Sequence, residues 1–138
     1  MMKAGGIILG IFMAVTCKLT AQPLIGLGKE EVRIIMNNEK KEFKIDKTVI
    51  RQEFNYLKYV NNNQTKTFIV FFNDDDICHK TKLVCDYSEY DVVRDELDEN
   101  RQRVGAASWE YTHEGKAYLI SLEEEEWYFV LRETEKEP

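Results

Sequence analysis

Apolar residues between 26 and 38 recur at helical spacing, with Val32, Ile35 and Met36 at i, i+3 and i+4 on one face. Gly28 stands at the N-cap position with Glu31 three residues later, the acceptor half of a capping box, and Asn37-Asn38 suit a C-terminal stop. This predicts a short helix. Residues 39–53 have no clear period, and Phe43 and Ile45 there suit a short edge strand. Three β-rich runs follow: Phe54 to Val60, Thr65 to Phe72 and Ile77 to Cys85. The segments between them, Asn61-Asn62-Asn63-Gln64 and Asn73-Asp74-Asp75-Asp76, are built from residues that favour turns and left-handed backbone. Phe68 to Phe72 is apolar on both parities, as expected of a central strand covered on both faces.

From Ser88 to Gly105 the period becomes helical again, with Tyr90, Val93 and Leu97 on one face and Asp91, Arg94, Asp95 and Asp98 on the other. Ser88 suits the N-cap and Gly105 the stop. Three more strands are predicted at Trp109 to His113, Lys116 to Leu122 and Trp127 to Glu133, with a tight turn at Glu114-Gly115. The order α-β-β-β-α-β-β-β suggests an internal duplication, with half-repeats at 26–86 and 87–133. Antiparallel strands with helices on one face make a two-layer α+β sandwich.

The start of the chain adds a different expectation. Met1-Met2-Lys3 is a short positive region, and Ala4 to Cys17 is uncharged until Lys18 interrupts it. A spanning helix needs about 20 apolar residues, so residues 1–21 read as a cleaved signal peptide with Ala21 at the cut, and residues 22–138 as one exported domain, periplasmic or extracellular. Lipidation at Cys17 would tether the protein to a membrane, but Thr16 occupies the place where such a site wants Gly or Ala. Without it the mature protein is expected to be soluble.

Removing residues 1–21 takes away Lys3 and Lys18, leaving 17 basic against 25 acidic residues. That excess argues against nucleic acid, whose affinity rests on phosphates neutralised by Lys and Arg. Aromatics at 12% and only two prolines favour a packed core over disorder. Cys78 and Cys85, if on one strand, stand about 23 Å apart at 3.3 Å per residue. They also fall on opposite parities, so a disulfide between them is excluded and two half-buried thiols are expected.

Little catalytic chemistry is visible. His79 and His113 are the only histidines. Cys78-His79 adjacency puts the two side chains on opposite faces of a strand, which disfavours a dyad. Asn73 to Asp76 and Glu123 to Glu126 lack the alternating spacing of a calcium loop, and only a meeting of the two turns at one end of the sheet would offer shared ligands. No metal and no cofactor is implied. The aromatics are more informative. Most should be core, but Tyr59 and Tyr128 fall on the opposite parity to Tyr56 and Trp127, so part of the set Tyr56, Tyr59, Trp109, Trp127 and Tyr128 should surface on the sheet's open face as a binding patch.

Gly26-Leu27-Gly28-Lys29-Glu30-Glu31-Val32 resembles the segment that opens the first helix of small bacterial lipoproteins of the outer-membrane-assembly type, a plan shared by domains similar to the β-lactamase inhibitor protein. The aromatic strand Tyr56-Leu57-Lys58-Tyr59, the apolar strand ending at Phe72 and the strand opening at Ile77 extend the likeness over residues 26 to 85. The chain also resembles small exported bacterial proteins of unknown function. Two features depart from the pattern: Gly28 replaces a capping Ser or Thr, and no second helix is evident in residues 39–53. The resemblance implies an α+β fold and a protein-binding or envelope role. The expectation is therefore an exported, non-catalytic binding module for a protein or cell-envelope partner. The alternative is a small hydrolase or ligand carrier with its site in a cleft between the two halves.

Overall fold

A computed structural model describes residues 22–48 and 53–137. The predicted signal peptide and Cys17 lie outside the described residues. Helix α1, Lys29–Glu39, begins where Glu31 reaches back to accept a hydrogen bond from the Gly28 amide at 3.0 Å. It is followed by β1 (Phe43–Ile45), β2 (Tyr56–Asn61), β3 (Lys66–Phe72) and β4 (Cys78–Asp86). A single 3-10 turn, Tyr87–Glu89, leads into α2, Tyr90–Asn100. Then come β5 (Gln102–Gly105), β6 (Ser108–His113), β7 (Lys116–Glu124) and β8 (Tyr128–Glu135). The class is α+β. All eight strands form one antiparallel sheet in the order β1-β2-β3-β4-β8-β7-β6-β5.

The sheet order runs from the first to the fourth strand of each half when read inward from either edge, and β4 meets β8 at the centre. Each half thus has four strands after its helix, not the three expected. The added strand in the second half is β5, which lies in the segment assigned to the second helix. That helix stops at Asn100 because Arg101 turns extended, at φ −131° and ψ 162°, and Gln102 and Arg103 then pair with Glu110 and Trp109. Arg103 also holds Asp98 through two nitrogens, fixing the reversal. Ser88 is not the cap of α2. Its amide and hydroxyl instead donate to Asp86, which caps the preceding 3-10 turn.

Two turns follow their sequence chemistry closely. Glu114 and Gly115 both have positive φ (51° and 83°), the pattern of a two-residue hairpin turn whose twist matches its strands. At the β2–β3 turn the Asn61 side chain accepts from the Thr65 and Lys66 amides, with Gln64 in left-handed backbone.

Register assigns each strand residue to one of two faces. Leu57, Tyr59, Phe68, Val70, Leu83, Cys85, Phe129, Leu131, Ile120, Leu122 and Trp109 share the first, directly opposite one another across neighbouring strands. This face carries both core clusters. Val32 and Met36 of α1 pack with Leu57, Tyr59, Val70 and Phe72, and Val93 of α2 packs with Trp109, Ile120, Leu122 and Phe129. Fully burying such a side chain stabilises the fold by about 1.5–3 kcal/mol. The second, reverse face carries Tyr56, Lys58, Ile69, Phe71, Lys80, Lys82, Val130 and Arg132, and none of these belongs to either cluster. Phe71 on β3 therefore faces away from the helices, and among the described residues no helix or second sheet covers that face of the strand, although Ile69 and Val130 on it are buried.

One irregularity moves a pair of residues. Phe71 pairs with Lys80 and Phe72 with Cys78, so a bulge skips His79. The extra residue shifts the parity of the strand, and Cys78 and Cys85 both lie on the clustered face rather than on opposite faces. Both are free and buried, more deeply than the half-burial expected.

Candidate functional site

Among the sequence-predicted binding residues, the structure separates core from surface. Tyr59 is a correction. It was expected on the open face but shares parity with Leu57, packs beneath α1 and is only 5% exposed. Trp109 is fully buried beneath α2, and its indole Nε1 donates to Asp98 at 2.9 Å. Trp127 falls just before β8, outside the ladder, and is 76% exposed. Tyr128 and Tyr56 do lie on the reverse face. However, Tyr56 stands in the row Phe71–Lys80–Thr134 and Tyr128 opposite Asp86 at the far end. Six residues along and three strands across put them about 24 Å apart. The five aromatics therefore form no single patch.

The residues that do gather on the reverse face are cations. Lys58, Ile69, Lys82 and Arg132 lie side by side in one row across β2, β3, β4 and β8. The next row holds Tyr56, Phe71 and Lys80, with the Lys80 ammonium 4.8 Å above the Phe71 ring. Lys58 reaches Asp46 at 3.3 Å and Arg132 reaches Glu123 at 2.8 Å. Ile69 is buried here although no cluster includes it, consistent with lysine stems lying along apolar surface while their ammonium groups reach water. Beside this face a groove of about 1040 Å³ opens between the end of α1 and the β1–β2 edge. Its lining includes Arg33, Lys41, Lys44, Lys47 and Lys58, with Asp46 its only acid. The alternation Lys80-x-Lys82 on a predicted strand was the available signal for this patch.

A second concavity, about 340 Å³, lies on the clustered face where the halves meet. Its apolar lining is Phe68, Leu83, Leu97, Ile120 and Leu131, with Thr81 and Glu133 opposite one another on β4 and β8. Lys40 follows α1, and Glu96 and Arg101 come from α2 and its end. Glu133 accepts a hydrogen bond from the Tyr111 hydroxyl, while Arg101 sits 4.1 Å over the Tyr111 ring. Burial pushes the Glu133 carboxyl up against the Tyr111 bond and the Arg101 and Lys40 charges, which act the other way. Burial, followed by the Glu133 charge, also pushes the Tyr111 phenol up. The sequence signal was an acid at core parity in Phe129-x-Leu131-x-Glu133.

Neither histidine lines either of these two concavities. His79 is the exposed bulge residue and His113 stands 3.6 Å from Glu114 at a turn. Burial pushes the Cys78 and Cys85 thiols up to about 11, so both are protonated at neutral pH and poor nucleophiles. The acidic turns at 73–76 and 123–126 lie at opposite ends of the sheet, because one precedes β4 and the other precedes β8, whose first residue pairs with the last of β4. They share no ligands. Three of their acids have local tasks: Asp76 accepts from Asn55, Glu123 pairs with Arg132, and Glu124 accepts from Tyr87 and Tyr90. No protein-family model matches the chain, and no characterised protein or solved structure matches it.

Proposed function

We propose that the chain is an exported, non-catalytic binding module: a two-layer sandwich of duplicated halves, with both helices over the clustered face and the reverse face taking a protein or cell-envelope partner. One observation carries this reading. The reverse face of an eight-stranded sheet contributes nothing to either core cluster, yet it bears Tyr56 and Phe71 beside Lys58 and Lys80, with Tyr128 at its far end opposite Asp86. Contact surfaces combine aromatic anchors with a polar surround in this way. The resemblance to outer-membrane-assembly lipoproteins agrees with an envelope role. The test is the double substitution Tyr56→Ala/Tyr128→Ala, with Trp127→Ala added. Capture of an envelope component by the immobilised protein should be lost while circular dichroism is unchanged. Undiminished capture refutes the reading.

The second reading is a ligand carrier using the cleft between the halves. It is favoured by Glu133, a carboxyl among Leu83, Leu131 and Ile120 at the junction. A small molecule retained in native mass spectrometry and released by Glu133→Gln would support it. The hydrolase form of this reading has no histidine in the cleft to draw on.

A further inference from the structure

We propose that the reverse face and the adjoining groove take an acidic polypeptide segment of a partner protein, an inference that rests on the binding role proposed above. The chain carries a net charge of −6, so cations should be diluted by acids wherever they occur. On the reverse face of the first half the opposite holds. Lys44, Lys58, Lys80 and Lys82 occupy its β1, β2 and β4 positions, with Asp46 bridging only Lys58. Lys82 lies directly opposite Arg132, and like charges so placed are destabilising. Arg132 is engaged by Glu123 on its other side, whereas Lys82 has no hydrogen bond or ion pair among the described residues. Lys80 rests over a ring instead of a carboxylate. The groove continues the same sign around the β1 edge through Lys41, Lys44 and Lys47.

A surface that places unneutralised cations together in an acidic chain is complementary to carboxylates from outside. The geometry suits an extended segment. Two strand spacings separate Lys58 from Lys82, about 10 Å, close to the distance between residues i and i+3 of an extended chain. The half-buried Phe71 lies beside them for an apolar residue of the same segment. Nucleic acid fits less well, because Asp86, Glu123 and Glu110 occupy the reverse-face positions around the patch and the whole chain repels a long polyanion.

The probes are a fluorescein-labelled peptide of repeating Glu-Ala-Glu-Phe, its Gln-Ala-Gln-Phe counterpart, single-stranded oligothymidylate, and vesicles of phosphatidylglycerol in phosphatidylcholine. Anisotropy should show binding of the acidic peptide in preference to the other three, weakening about tenfold as salt rises from about 50 to about 300 mM. Lys44→Glu/Lys82→Glu should weaken it about tenfold or more with the melting temperature unchanged or raised, since a carboxylate at position 82 would face Arg132. Equal binding of the Gln peptide, or a variant that binds as the parent does, overturns the inference. Tighter binding of oligothymidylate or vesicles overturns it in favour of a phosphate partner. The underlying binding role fails separately: if the aromatic variants lose envelope capture and the lysine variants keep it, only the acidic partner is refuted.

Discussion

Trp109 offers the sharpest test of the division between core and surface. It is fully buried between α2 and the sheet, its Nε1 donates to Asp98, and the Arg103 guanidinium lies 5.4 Å over its ring. Trp109→Ala removes the largest fully buried side chain among the described residues. Truncating such a residue costs about 3–5 kcal/mol through lost transfer energy and the cavity left behind. Against a domain stability of about 5–15 kcal/mol, this removes a large share. With a urea slope of about 1–3 kcal/mol per molar, the midpoint should fall by about 2 M. Trp109→Phe keeps most of the packing but loses the indole donor, and should cost about 1–2 kcal/mol. Trp127 is the internal control. At 76% exposure, its alanine variant should lie within about 0.5 kcal/mol of the parent. Because these are the only tryptophans, fluorescence separates them. Trp127→Ala should leave a blue-shifted, quencher-protected emitter, and Trp109→Phe a red-shifted, quenchable one. A Trp109→Ala cost below about 1 kcal/mol, or equal costs at the two positions, would refute the assignment.

Three further outcomes are expected. Glu133 has a raised carboxyl in the folded state, so the native protein holds a proton that the unfolded chain releases. Stability should therefore decline as pH rises from the ordinary carboxyl range, about 4.3, through the raised native value, and Glu133→Gln should flatten that decline in denaturant titrations across the interval; parallel profiles would count against it. Cys78 and Cys85, buried and protonated, should resist a thiol reagent at neutral pH and react together once urea unfolds the chain. Fast labelling of the native protein would contradict their placement. Glu114→Asn should raise the thermal midpoint slightly, because Asn tolerates the left-handed backbone there, whereas Gly115→Ala should lower stability by about 1–2 kcal/mol.

Much of the fold was legible because it rests on local periodicity. The i, i+3, i+4 residues of α1 and α2 that pack into the clusters are those the helical spacing singled out. Strands β2 to β4 and β6 to β8 fall within two residues of the predicted runs, since alternation and turn chemistry are written into adjacent positions. β5 was not legible. All four of its residues are exposed, and its pairing with β6 leaves no apolar period along the chain. The bulge at His79 was equally hidden, and it alone reversed the face of Cys78 relative to Cys85. Tyr59 was misplaced because both parities of β2 carry an aromatic. Lys58, on the parity of Tyr56, was the clue to which side faces water.

Residue type and spacing along the chain were enough to establish the α+β class, helices α1 and α2, six of the eight described strands, the Glu114-Gly115 turn and the acidic balance. Each of these depends on neighbours in sequence. Other features came from the folded arrangement alone: β4 meets β8 at the centre, Tyr59 and Trp109 are core while Tyr56 and Tyr128 stand far apart, and Lys58, Lys82 and Arg132 share a row. The reason is physical. Register across strands sets which residues are neighbours, and it puts into one row side chains 74 positions apart in the chain, Lys58 and Arg132.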